Sequence, residues 1–313
     1  MNIEELIKKI EKDKATIKDS LVSDEGMERL KKVASEYSGE YQLVWSSDIA
    51  EEIKNRPKRE SHKSGVEEID HITGGFRPQQ MIGVGAQSGH GKTAFGLWLL
   101  KQYESLNPVL LPLEQSSEEL IEQRLENKQF VPKYLAPKKH SAHVDPDWIE
   151  QRIVEAIAKH NSKMIMLDHM GYIEVGEDYR REGEHLRIEK KLQAIKHLAI
   201  KWNVVIVILI QLAQMEEEQA PQLRDLKGSS AIRQECDQII LLWRNNTKTG
   251  KARAYDDKVL ISVQKNRFTG LNGNAGSRFD FKTGEYEFTP ETKEWCQNLE
   301  EKAKEAVKKD DAF

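Results

Sequence analysis

The chain has 313 residues, 38% of them hydrophobic and 32% charged, which is enough apolar content for one large core beneath a heavily charged surface. A formal charge of −4, from 48 basic and 52 acidic side chains, lacks the basic footprint of a dedicated nucleic-acid binder, an objection that weakens if contact is made by a few cationic loops repeated by symmetry around a channel. Cys236 and Cys296 cannot make a zinc site, the acidic start Met1–Glu5 lacks the apolar core of a signal peptide, and the longest apolar run, Val204 to Ile210, falls well short of the ~18 residues of a membrane span. The expectation is a soluble intracellular protein in a reducing compartment.

Residues 1–45 read as a small, polar, helical N-terminal segment with apolar positions at Ile3, Leu6, Ile7 and Ile10. Over 46–63 the pattern predicts a short linker helix, Asp48 to Asn55, capped by Ser47 or Asp48 and ended by Pro57, followed by a hydrophilic linker from Lys58 to Lys63. From 64 to 290 strand-like runs appear at Met81–Val84, Val109–Leu113, Met164–Leu167, Val204–Ile210, Gln238–Trp243 and Val259–Val263. Helical stretches near 93–105, 117–127, 147–160 and 186–202 separate the first four, the signature of an α/β fold with a mostly parallel sheet. The last runs lack intervening helices and predict an antiparallel hairpin at one edge. Residues 291–313 read as a charged helical tail with no evident burial stripe.

The most informative stretch runs from Met81 through Ala86, Gln87, Ser88, Gly89, His90 and Gly91 to Lys92 and Thr93. A strand enters a glycine-rich turn that opens a helix, as in a P-loop, with Ala86 where the motif has its first glycine. Backbone N–H groups at Gly89 and Gly91 can curl around a phosphate, Lys92 can neutralise β/γ oxygens, and the Thr93 hydroxyl can face Mg²⁺ at the positive helix end. The apolar run Met164–Leu167 ending in Asp168 supplies the matching carboxylate for magnesium. Glu114 leaves another strand end and can polarise an attacking water; after it, Ser116 to Glu119 reads as a capping box. Read alone, Glu114 better suits an ordinary surface glutamate in a strand–helix turn.

Ser64–Asp70, Gly74-Gly75-Phe76, the Ala86–Thr93 loop, Leu113-Glu114 and Leu167-Asp168-His169 together resemble the RecA-like ATPase domain of DnaB-type hexameric replicative helicases. Val205–Gln211, Leu226–Asp237 and Lys265–Gly270 continue the same order, the last two blocks in the style of phage helicase–primases and mitochondrial Twinkle. The resemblance spans residues 64–288 and implies a RecA-like P-loop NTPase fold: a twisted, mostly parallel sheet flanked by helices. It further implies ATP and Mg²⁺ as cofactors, Lys92 and Thr93 at the phosphates and metal, Glu114 as catalytic base and Asp168 as the second metal residue. Gln211 corresponds to the polar sensor of the γ-phosphate, and Lys265 and Arg267 to cations supplied by the neighbouring subunit, Arg267 being the arginine finger.

For DNA, the resemblance points to Arg224, Lys227, Gly228, Ser229 and Ser230 as one loop and to Gly176–Arg187, with Arg180 and Arg181, as another. The acids interleaved with those arginines suit a plain solvated loop nearly as well. Phe279 and Phe281 are the candidates for stacking on adenine. The implied partners are single-stranded DNA, further copies of the chain in a hexamer, and a separate primase or loader. The implied location is the cytoplasm of a bacterial or phage-infected cell, or an organellar matrix. The resulting expectation is a ring-shaped, ATP-driven DNA helicase acting in replication. Two alternatives stand beside it. One is a RecA-, RadA- or KaiC-like ATPase that binds DNA or regulates partners without unwinding; the other is an assembly protein that uses ATP only to hold a ring.

Overall fold

The computed structural model describes residues 43–56, 60–139, 141, 143–174, 183–212, 220–226, 229–249 and 252–310. The chain divides into two compact units, residues 1–59 and 60–313. Of the first unit, the described part is helix α1 (Ser46–Asn55). It begins earlier than expected, with Trp45 at its N-cap position and no side-chain cap; the Ser47 hydroxyl, inside the helix, donates to Asp48 (3.2 Å). Its last flanking residue, Arg56, is extended, the conformation that a following proline imposes.

The second unit starts inside the stretch expected to be linker. Within it, His62 pairs with Phe76 through two backbone hydrogen bonds of 2.7 and 2.8 Å. Helix α2 (Glu67–Thr73) follows, then β1 (Met81–Ala86), α3 (Lys92–Gln102), β2 (Val109–Pro112), α4 (Ser117–Glu126), α5 (Pro146–His160) and β3 (Met164–Asp168). Next come α6 (Glu184–Lys201), β4 (Val205–Gln211), α7 (Ser229–Glu235), β5 (Gln238–Thr249), β6 (Ala252–Asn266), β7 (Gly273–Phe279), β8 (Tyr286–Glu287) and α8 (Pro290–Asp310).

One sheet contains all the strands, in the order β2-β3-β4-β1-β5-β6-β7-β8. The first five are parallel; from β5 onward each neighbour is antiparallel. Strand β4 shows why the parallel part holds: Val205, Val207 and Leu209 enter the core on one face, and Ile206, Ile208 and Ile210 enter the core on the other. Helix α3 lies against the first face so closely that a Cβ at Gly96 would stand 3.0 Å from Met166 Sδ and 3.2 Å from Leu209.

The C-terminal helix departs from the expectation of an unpatterned tail. Thr292 and Cys296 are buried, with Trp295 and Leu299 packed on Trp243 and Leu260. Positions 292, 296 and 299 lie on one helical face. The helix can dock because β7 carries Gly276, where a Cβ would stand 2.1 Å from the Thr292 carbonyl oxygen.

Candidate nucleotide site

Parallel strands deliver their carboxyl ends to one edge of the sheet, and a crevice forms there. At the end of β1, Ala86 is buried between Gln211 of β4 and Leu242 of β5. The loop then turns through Gly89 (φ 81°) and Gly91 (φ 86°), left-handed conformations that favour glycine. Gly91 is the cap of α3 and offers no side chain to its first N–H groups, the arrangement in which a helix N-terminus can take an anion. Gln87 is half-buried, Ser88 and Gly89 are exposed, and His90 is buried, its Nδ1 accepting from Arg244 N of β5 (3.2 Å). The His90 side chain therefore braces the loop from beneath, leaving only its backbone to face a ligand.

Lys92 and Thr93 open α3. The Thr93 hydroxyl donates to Asp168 Oδ2 at 2.8 Å, reaching across β4 to the end of β3. Asp168 is buried, and its second oxygen, Oδ1, has no hydrogen-bond partner. Burial pushes this carboxyl above the usual range, countered by the Thr93 bond and by Lys92. Burial also lowers Lys92, countered by Asp168 and Glu114. A buried acceptor left without a partner beside a threonine hydroxyl fits a hydrated magnesium ion, which takes few protein ligands. Among the described residues no cluster of three or more His, Cys, Asp or Glu side chains could hold a metal, so the rest of such an ion's shell must come from phosphate and water.

Glu114 sits two residues beyond the edge pairing that aligns Pro112 with Asp168, and between them Leu113 N donates to Asp168 O at 2.6 Å. This register sets Glu114 beside His169, with 3.6 Å between His169 Nε2 and Glu114 Oε2. The capping box that follows is present: Ser116 Oγ accepts from Glu119 N (3.1 Å) and Glu119 Oε2 from Ser116 N (2.8 Å). Gln211 is exposed at the end of β4 and lines, with His169, Gly171, Arg187 and Lys191, a cleft of about 640 Å³. Lys92, Thr93, Glu114, Asp168 and Gln211 thus gather at one edge.

Lys265 and Arg267 do not join them. Strand β6 runs antiparallel, so its end lies at the opposite edge, where Gln238 pairs with Asn266 and Asp237 N donates to Met81 O. Six residues of β1 separate that edge from the phosphate loop, roughly 17 Å at a strand's rise. Lys265 Nζ donates to the carbonyls of Arg233 and Cys236 (2.8 Å to the latter), at the end of α7. Arg267, just past the strand, donates to Asp237 Oδ1 (3.3 Å) and Gln234 O (2.5 Å), and about half of its side chain is exposed.

Of the expected DNA residues, Arg224 is exposed in a short 3₁₀ turn, and Ser230, in α7, hydrogen-bonds His185. For Ser229 only the backbone, at the start of α7, is described; Lys227, Gly228, Arg180 and Arg181 lie outside the described residues. Leu212 and Leu226 pair on either side of segment 213–219. The two adenine candidates separate: Phe279 is buried against Tyr286, whereas Phe281 is half exposed beneath the Arg244 guanidinium at 4.6 Å. The strand ends at Phe279, whose burial removes it as a stacking surface, whereas Phe281 lies beyond the strand. Sequence reading missed Arg244, Tyr286 and Asp237 as neighbours of these sites. Asp237 alone carried a signal, a carboxylate just before a buried strand.

The model of the DnaB-like helicase C-terminal domain matches residues 62–148 and 139–288. The replicative DNA helicase DnaB of Treponema pallidum (strain Nichols) is 22% identical over 254 residues, covering 70% of this chain and 56% of that protein. A DNA helicase/primase of Enterobacteria phage T3 is 32% identical over 119 residues, 36% of this chain and 20% of that one. A solved DnaB-like replicative helicase, described with its interactions with primase, superposes with a TM-score of 0.64 at 18% identity over 91% of this chain and 75% of its own. The chain spans about half the length of the DnaB relatives it matches. With its RecA-like sheet and phosphate loop matched across residues 62–288, this chain belongs to the DnaB-like helicase C-terminal domain family.

Proposed function

We propose that this chain is the ATPase motor of a ring-shaped helicase that moves along single-stranded DNA in replication. The observation that carries the reading is the bond from Thr93 to Asp168, which sets the metal-facing hydroxyl, the orphan carboxylate oxygen and Lys92 around one point at the start of α3. Lys92 and the open N–H groups of α3 hold the phosphates of ATP; Phe281, under Arg244, offers a face to adenine. Thr93 and Asp168 would hold magnesium, which would supply charge neutralisation to the phosphate oxygens. Glu114 takes a proton from the attacking water, and Gln211 senses the γ-phosphate.

Lys265 and Arg267 support a shared site, because the sheet holds them too far from their own loop to act on it. A second copy presenting its Arg267 edge to this chain's phosphate loop supplies the missing charge, worth ~10³-fold or more in turnover for a typical finger. Repetition of that contact makes a ring, a hexamer in this reading. Arg224, Lys227, Gly228, Ser229 and Ser230, with Arg180 and Arg181, serve the DNA phosphates, and a primase or loader is the further partner. The site of action is the cytoplasm.

The test is a strand-displacement assay on a forked duplex, run beside a filament assay on single strands. Unwinding that needs ATP and is lost in Lys92→Ala is the expected result. Filament formation with no unwinding would favour the RecA- or KaiC-like alternative. Mixing inactive Arg267→Ala and Glu114→Gln chains should return part of the ATPase; co-assembled but dead mixtures would reject the shared site. Lys227→Ala should weaken single-strand binding at every sequence and flatten its salt dependence.

A further inference from the structure

The Glu114 carboxylate is poorly held for a group that must aim at one water. Its side chain is 57% exposed, and among the described residues no hydrogen bond fixes it. His169, facing it, is the reverse. The ring is 16% exposed, Nδ1 accepts from Gly171 N at 3.0 Å, and the Tyr172 ring meets it edge-on at 5.0 Å. Gly171 is part of this seat: a Cβ there would stand 2.6 Å from His169 Cε1 and 2.9 Å from Nδ1. Lacking a side chain, residue 171 lets the ring lie flat on its own backbone N–H.

That one bond decides the tautomer. A backbone N–H can donate only to an unprotonated ring nitrogen, so the proton of the neutral imidazole sits on Nε2. Nε2–H is the atom turned to Glu114 Oε2, 3.6 Å away, and a shift of about 0.7 Å in the loose carboxylate closes a normal hydrogen bond. Such contacts often tighten only when substrate is bound.

We propose that His169 is a positioning residue for Glu114: its Nε2–H holds one carboxylate oxygen and leaves the other to receive the proton of the attacking water. The proposal rests on the reading of Glu114 as the base. It also gives Gly171 a role, since any side chain there displaces the ring.

The experiment uses the full chain with ATP and magnesium, read as single-turnover hydrolysis together with nucleotide affinity. His169→Ala should slow hydrolysis by about 30-fold with nucleotide affinity nearly unchanged, since misplacement by about an ångström costs up to ~10²-fold. His169→Gln, whose amide offers a donor near the Nε2 position, should recover most of that loss. Gly171→Ala, which leaves His169 in the chain, should reproduce it. In a Glu114→Gln background His169→Ala should add almost nothing; the same 30-fold loss there, or a loss expressed in affinity alone, would show a structural role and overturn the proposal. Turnover at the wild-type rate in Glu114→Gln removes the base and the proposal with it; an inactive Glu114→Gln beside a fully active His169→Ala removes the positioning alone. Nitrogen-15 spectra of labelled histidine supply a readout independent of activity. A bare Nδ1 and a protonated Nε2 at His169 are expected, and the opposite tautomer refutes the geometry.

Discussion

Asp237 is the carboxylate on which the edge opposite the phosphate loop is built, and its removal has a calculable cost. The residue is 7% exposed; Oδ2 accepts from Met81 N at 2.8 Å and from Lys196 Nζ at 2.5 Å, and Oδ1 from Arg267 at 3.3 Å. Asp237→Ala strands the Lys196 ammonium, whose side chain is 17% exposed. Breaking a buried pair from one side costs about 3–5 kcal/mol, and the lower end applies because Lys196 keeps Gln79 O at 2.8 Å. The orphaned Met81 N–H adds about 1 kcal/mol, whereas half-exposed Arg267 contributes little. The expected loss is about 4 kcal/mol, a large share of a typical ~5–15 kcal/mol stability.

Equilibrium urea unfolding of the full chain reads this as a fall in midpoint of more than about 1 M at a slope near 3 kcal/mol/M. Asp237→Asn, which keeps an acceptor for Met81 N–H, should lose about half as much. The double variant Asp237→Ala with Lys196→Met should be more stable than Asp237→Ala alone, because the stranded charge is gone. A loss below about 1 kcal/mol, or a double variant weaker than the single, would refute the argument that this cluster is a paired, buried anchor.

Lys92→Ala should abolish ATP hydrolysis and weaken nucleotide binding, because the remaining cradle is neutral amides; isothermal titration with ATP checks the affinity. Gly276→Ala should cost about 2–3 kcal/mol and shift tryptophan emission, since the new Cβ meets the Thr292 carbonyl and must displace α8 from Trp243. Buried His62, with Nε2 unpartnered, has its pKa lowered chiefly by burial. The unfolded chain therefore takes the proton first, so His62's contribution is intact above pH ~6.5 and lost as pH falls below it; His62→Gln should flatten that part of a stability–pH curve.

The phosphate loop was legible because its chemistry is written in spacing: two glycines, then Lys92 and Thr93, after a strand of Met81-Ile82-Gly83-Val84. The parallel strands were legible because burial on both faces demands unbroken apolar runs. Strand β7 was not, because Gly273, Asn274, Gly276 and Ser277 read as a loop; its glycines exist to admit Ile72 and α8. The stripe on α8 escaped for a related reason: Thr292 and Cys296 are small, and only Trp295 and Leu299 look apolar. Sequence order placed Lys265 and Arg267 on a strand but could not say which edge it ends at. His90 and Phe279 sit in the right segments with their side chains turned inward, a choice made by packing.

The change from parallel to antiparallel pairing at β5 and β6 has a consequence for the proposed chemistry. Five parallel strands must place their carboxyl ends together, which is why Thr93, Glu114, Asp168 and Gln211 converge from elements distant in sequence. The first antiparallel strand reverses direction and carries Lys265 and Arg267 to the other edge, a strand's length away. A chain built this way has the two halves of the proposed site at opposite ends and joins them only by meeting another copy head to tail. A two-fold dimer does not suffice in general, because an isologous contact joins like patches, whereas head-to-tail contacts repeat until the rotation closes. The Asp237 anchor fits that arrangement. Holding Arg267 by two bonds on one side while leaving half of its surface open fixes the direction in which the guanidinium is offered.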